Sequence, residues 1–93
     1  MSRKIIKEWA TIFRGMGNPN RLRIIKILSE TGELSVSELA KELKITLKNT
    51  SRNLLILQNL GIVEFQGKIG RVYYSLNTRI ERDIGQIINV VLK

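Results

Sequence analysis

The sequence predicts one mainly helical α+β domain, with its elements in the order α-α-α-α-β-β-α. Three observations carry that prediction. Apolar residues recur at helical spacing in two terminal stripes, and cap and stop signals punctuate residues 15–61. Between residues 62 and 76 the pattern turns β-branched and aromatic. A length of 93 residues allows a single domain over 1–93, with a modest core that a partner subunit would extend.

Ile5, Ile6, Trp9, Ile12, Phe13 and Met16 fall on one stripe of a first helix over residues 3–15. Lys7, Thr11 and Arg14 lie opposite, and Gly15-Met16-Gly17 is the predicted stop. Asn18-Pro19 reads as an N-cap with proline at the first helical position, where its missing N–H costs nothing. The second helix carries Leu22, Ile25 and Leu28 and ends at Gly32, a left-handed stop. Ser35 and Glu38 spell the S-x-x-E capping box of a short third helix, with Leu34 and Leu39 spaced as a hydrophobic staple. Leu39, Ala40 and Leu43 face inward. Lys44-Ile45-Thr46 breaks this helix, and Thr46 caps a fourth from Leu47 to about Leu60. Gly61 lies just past its end, and Leu57 and Ile62 have the spacing of a Schellman contact. Ile62–Phe65 and Arg71–Leu76 read as hairpin strands, with Gln66–Gly70 as a basic turn between them. Ile80, Ile84, Ile87, Ile88 and Val91 form the stripe of a last helix over 79–92.

Composition narrows the function. The chain has no cysteine and no histidine, so it offers no thiolate nucleophile, imidazole base, disulfide or Cys-type metal site. Asp83 and seven glutamates are the only acids. An enzyme is not expected on residue supply, and no cofactor is implied. No apolar run approaches the roughly 20 residues of a membrane span. Met1-Ser-Arg-Lys4 lacks the apolar region of a secretory leader. The expectation is a cytoplasmic, nucleoid-associated protein with no membrane partner.

Sixteen Lys and Arg against eight Asp and Glu give a formal charge of +8, which points to a polyanionic partner rather than merely a soluble surface. The charge comes in blocks. Residues 1–26 hold seven basic residues against Glu8, residues 27–43 hold one against four, and residues 44–93 hold eight against three. Two helices joined by a tight turn and followed by a basic hairpin make a winged helix-turn-helix. With Leu54 at the centre of the buried face, Lys48, Arg52, Asn49 and Asn53 fall at roughly 120°, 160°, 220° and 260° around the fourth helix, while Leu47, Thr50 and Leu57 share the inward side. Arg and Lys pair with guanine O6/N7 and Asn with adenine N6/N7, so this face suits a major groove. An ordinary solvated face would also be polar, but it would mix signs, and no acidic residue occurs between Lys44 and Val63. Ser51, at the edge of the inward face, has phosphate donation or packing open to it. Lys68 and Arg71 flank the hairpin tip, where they serve either DNA or protection of a strand edge.

Residues 16–77 resemble the ArsR/SmtB-type repressors. The matching runs are Gly17-Asn-Pro-Asn-Arg-Leu-Arg-Ile-Ile25, Gly32-Glu-Leu-Ser-Val-Ser-Glu-Leu-Ala40, Thr46-Leu-Lys-Asn-Thr-Ser-Arg-Asn-Leu54, Leu57-Gln-Asn-Leu-Gly-Ile-Val63 and Gly70-Arg-Val-Tyr-Tyr-Ser-Leu-Asn77. The resemblance implies a dimeric winged helix whose fourth helix enters the major groove, with Lys48, Asn49, Ser51 and Arg52 at DNA-contacting positions. Asn53 stands where the family commonly has His. The family's thiolate metal site uses a Cys pair where this chain has Ser35 and Ser37, and hydroxyls are poor ligands for soft or borderline metals. Its other site lies on the last helix, which here offers Glu81 and Asp83, two residues apart and on different faces. Neither site is expected. The resemblance also implies a dimer built by the first and last helices, with Ile5, Trp9, Ile12, Phe13, Met16, Ile84, Ile87, Ile88 and Val91 in the interface. Folding of both helices back onto their own monomer is the alternative.

The leading expectation is therefore a homodimeric DNA-binding regulator that represses by occupying a palindromic site on double-stranded DNA. An architectural DNA-binding protein is the second reading. A winged-helix protein-interaction module, docking through the outward Leu55 and Ile56, is the third.

Overall fold

The computed structural model describes residues 3–92; residues 1, 2 and 93 of the predicted domain lie outside it. Its elements are α1 (Arg3–Met16), α2 (Pro19–Thr31), β1 (Glu33–Ser35), α3 (Val36–Leu43), α4 (Leu47–Asn59), β2 (Val63–Lys68), β3 (Arg71–Leu76) and α5 (Glu81–Val91). α2 is the hub, touching α1, α3, α4, α5 and the sheet. Its Ile24, Ile25 and Leu28 are fully enclosed with Leu39, Leu54 and Leu57, each burial worth about 1.5–3 kcal/mol over exposure.

The helix ends follow local chemistry. Asn18 Oδ1 accepts from the Asn20 and Arg21 amides, and Pro19 occupies N1. Ser35 Oγ accepts from the Glu38 amide while the Glu38 carboxylate accepts from the Ser35 amide, which completes the capping box. The Ser35 amide, and to a lesser degree its hydroxyl, hold the Glu38 carboxyl below its ordinary range, with a smaller contribution from the Arg71 charge. Thr46 Oγ1 caps α4 through the Asn49 amide. At the other end of α4, Ile62 N–H donates to Leu57 O and Gly61 N–H to Gln58 O, with Gly61 at φ 76°. This is the Schellman pairing, and Leu57 and Ile62 are both wholly buried.

Four details differ from the sequence expectations. A third strand, β1, pairs with β3 (Glu33 opposite Ser75), so the sheet order is β1-β3-β2, all antiparallel. The hairpin strands run on through Gln66–Lys68 to a two-residue turn, Ile69-Gly70, with both φ values positive. α1 ends at Met16, within the expected Gly15-Met16-Gly17 stop, but Gly15 itself is helical and the helix runs one residue past the expected 15. A Cβ there would lie 2.5 Å from Ile62 Cδ1 and 2.8 Å from Leu60 Cδ1, so glycine lets α1 pack closely against the end of α4. α5 begins at Glu81 rather than 79, because Asn77 accepts the Arg79, Ile80 and Glu81 amides in a turn of its own.

Candidate nucleic-acid interface

α3 and α4 meet at Lys44–Thr46, with Lys44 in the left-handed conformation (φ 58°, ψ 42°). Arg23 reaches across from α2 to donate to Leu43 O at 3.1 Å, closing the end of α3. Thr50, fully buried, donates its hydroxyl to Thr46 O and turns the inner side of α4 toward the core. What α4 leaves outside are two adjacent rows, Leu47-Ser51-Leu55 and Lys48-Arg52, all exposed. Neither Lys48 nor Arg52 has a protein partner among the described residues. Two cations, a hydroxyl and two apolar side chains thus share one acid-free face.

Asn49 and Asn53 do not lie on that face in the expected way. Asn53 is 6% exposed. Its Nδ2 donates to Asn49 O (3.0 Å) and Asn49 Oδ1 (2.9 Å), and its Oδ1 accepts from Arg21 Nη1 (3.5 Å). Arg21 is itself anchored, with Nε donating to Gly15 O at 2.9 Å. Asn49 is half-buried. The angular signal was present: at roughly 260°, Asn53 is only about 100° from Leu54 and lies on the flank, whereas Arg52 at about 160° faces straight out. Leu47, expected inward, is 53% exposed because it occupies the first turn, beyond the reach of the core. Ser51 is exposed rather than at an inner edge.

On the hairpin, register puts Glu33, Glu64, Gln66, Lys68, Arg71, Tyr73 and Ser75 on one face of the sheet. Val63 and Leu76 on the other face enter the core, and on that face the Phe65 and Tyr74 rings meet tilted, with centroids 6.1 Å apart. Lys68 Nζ lies 2.9 Å from Glu33 Oε1, while Arg71 makes no ion pair among the described residues and acts on Glu38 only through its charge. Of the hairpin cations, only Lys68 is therefore held by an acid among the described residues. Such an exposed pair is worth about 0–1 kcal/mol and yields to a stronger anion.

The terminal helices divide. Ile12, Ile84 and Ile88, expected at an interface, are 6%, 0% and 5% exposed and belong to the monomer's own core. Ile5, Phe13 and Val91 are exposed, and Trp9, Met16 and Ile87 are half-buried. Ile6, Trp9, Ala10, Phe13 and Ile87, with Asp83 and Gln86, line a shallow, largely apolar groove of about 620 Å³ between α1 and α5. The Trp9 and Phe13 rings lie 5.8 Å apart in it. Ala10 was absent from the sequence expectation because alanine carries little stripe signal. No helix among the described residues is long and apolar enough to cross a membrane.

The sequence profile of the bacterial regulatory protein arsR family matches residues 18–64, from the Asn18 cap through α4 into β2. An uncharacterised helix-turn-helix-type transcriptional regulator of Methanocaldococcus jannaschii is 36% identical over 76 residues, 81% of this chain and 85% of that protein. A biofilm growth-associated repressor of Xylella fastidiosa is 32% identical over 88 residues, 95% of this chain and 74% of that one. Among solved structures, the homodimeric winged helix-turn-helix DNA-binding domain of a possible ArsR-family regulator from Mycobacterium bovis superposes with a TM-score of 0.82. The two are 26% identical, over 98% of this chain and 86% of that chain.

Proposed function

This chain belongs to the arsR family of bacterial regulatory proteins, and we propose that it works as a homodimeric repressor that reads a palindromic operator with α4. Fold and family are those of a transcription regulator. The observation that carries the specific reading is the exposed, acid-free face of α4, where Lys48, Ser51 and Arg52 stand beside Asn49 without partners among the described residues. Arg52 and Lys48 offer donors to guanine O6/N7, Ser51 to a phosphate, and the Leu47 and Leu55 side chains suit thymine methyls. Lys68 exchanges Glu33 for a phosphate flanking the groove, and Arg71 takes another. Asn53 is not a base contact in this reading, since its amide is spent on Asn49 and Arg21.

The whole chain, 1–93, acts as one domain, and its second copy docks on the α1–α5 groove through Ile5, Trp9, Phe13, Met16, Ile87 and Val91. The homodimeric relative supports this. Two-fold symmetry then sets the α4 helices about 34–36 Å apart, one DNA turn. A regulator of this kind works on the nucleoid in the cytoplasm. It does not respond to metal through either family site: Ser35 Oγ, at the first thiolate position, is committed to capping α3, and Glu81 and Asp83 are both exposed and separated around α5. Neutralising about three to five phosphates per monomer gives a slope of roughly −5 to −9 in log K against log salt for the dimer.

Selection from random duplexes tests this reading. A palindromic consensus with half-site centres about 10–10.5 base pairs apart is expected. Salt-sensitive binding without enrichment of any sequence would make the chain an architectural protein instead, and no binding at low salt would make it a protein-docking module.

A further inference from the structure

We infer that Asn53 is a positioning residue for base recognition: with Arg21 it holds the Asn49 amide so that the amino group, not the oxygen, meets the DNA, and Asn49 therefore reads the paired acceptors of guanine rather than the donor–acceptor edge of adenine. This rests on α4 being the reading helix.

The chemistry of the partners fixes the orientations. A guanidinium only donates and a backbone carbonyl only accepts. Arg21 Nη1 meets one end of the Asn53 amide, which must be its oxygen, and Asn49 O meets the other, which must be its nitrogen. The second Asn53 N–H then points at the Asn49 side chain at 2.9 Å, so the atom it meets is Oδ1. Asn49 is left with Nδ2, which has no protein partner among the described residues. No buried side-chain polar atom among the described residues is unsatisfied, so this amino group is open to solvent. The relay starts at a firm anchor, because Arg21 also donates to Gly15 O and its amide is bound by the Asn18 cap. An unrestrained Asn turns over to suit adenine N6/N7. This one would have to break the Asn53 bond to do so, leaving a donor at a 6% exposed position without its partner. Guanine presents two acceptors, N7 and O6, and needs no such reversal.

The test is base preference, measured with the full chain by selection from random duplexes and by competition at the position whose preference Asn49→Ala abolishes. The wild type is expected to favour guanine over adenine there by about threefold to tenfold, the worth of one neutral hydrogen bond. Asn53→Asp, whose carboxylate only accepts, reverses the Asn49 amide and moves the preference to a base offering an amino group, adenine or cytosine. Asn53→Ala removes the restraint and drops the discrimination below about twofold. Both leave the preference at the Arg52-dependent position unchanged, a selectivity that general loosening of the fold does not produce. A wild-type preference for adenine at the Asn49 position overturns the inference without any Asn53 variant. Folded Asn53 variants with unaltered discrimination overturn it too. If Arg52→Ala also leaves the consensus unchanged, α4 is not the reading helix and both claims fall; if Arg52→Ala alters it and the Asn53 variants do not, only the positioning role fails.

Discussion

Replacing Ile69 by Asn should make the protein more stable. Ile69 is the first residue of the two-residue hairpin turn, at φ 47°, and its side chain is fully exposed. For a residue with a Cβ, the left-handed region costs roughly 1–2 kcal/mol, and a β-branched side chain fits it worst. Asn enters it readily, and Asn-Gly is a preferred pair for a turn with two positive φ values. Ile69 buries nothing, so the substitution forfeits no hydrophobic stabilisation. About 1 kcal/mol should be recovered, which raises the midpoint of thermal unfolding by about 4–8 °C for a domain of this size. The assay is a melt followed by circular dichroism at fixed protein concentration, since dimerisation would otherwise move the midpoint. Ile69→Ala is the control: it keeps the Cβ and should recover little. An unchanged or lower midpoint for Ile69→Asn refutes the reasoning, as would an equal gain from Ile69→Ala.

Four further outcomes follow from the geometry. Arg52→Ala, at an exposed side chain without a protein partner, should leave stability within about 0.5 kcal/mol and weaken binding to the selected duplex by about 1–3 kcal/mol, relaxing one base position. Lys68→Ala should cost less, reduce the salt slope by about 1 and leave the consensus intact, which titration at several salt concentrations will show. Ser35→Ala should cost about 1 kcal/mol by removing the α3 cap. Because the bonds from Ser35 lower the Glu38 pKa, their contribution is present above the ordinary carboxylate range and lost as pH falls through the lowered value. The Ser35 amide persists in Ser35→Ala and the hydroxyl cap of the Glu38 amide does not titrate, so the gap between wild type and variant should narrow in acid without closing, as melts across that range will show. Phe13→Glu, at a 52% exposed site in the α1–α5 groove, should yield a folded monomer by sedimentation, whereas Ile88→Glu, at a 5% exposed site, should unfold the chain.

Elements whose signals lie within a few residues of one another were legible in the sequence. The Asn18-Pro19 start, the Ser35–Glu38 box and the Gly61 stop all depend on bonds spanning two to five residues, and all formed as read. β1 was not legible, because three residues become a strand only through pairing with β3 forty residues later. Gly15 looked like punctuation, since a close approach by Leu60 and Ile62 leaves no local trace. The terminal stripes were read correctly as apolar, but periodicity does not say what covers a face. Ile12, Ile84 and Ile88 are covered by their own monomer, while Phe13 and Val91 are not. Asn53 shows the same limit in a polar residue, for its partner Arg21 lies on another helix, thirty-two positions away.

Guanine-N7 methylation protection on the selected duplex tests the central claim most directly, since α4 in the major groove must shield N7 atoms there. Two protected patches are predicted in successive major grooves of one DNA face, symmetric about the dyad and one turn apart, with Arg52→Ala losing one guanine from each. Protection in a single groove, or none alongside tight binding, would contradict a symmetric dimer reading its operator with α4.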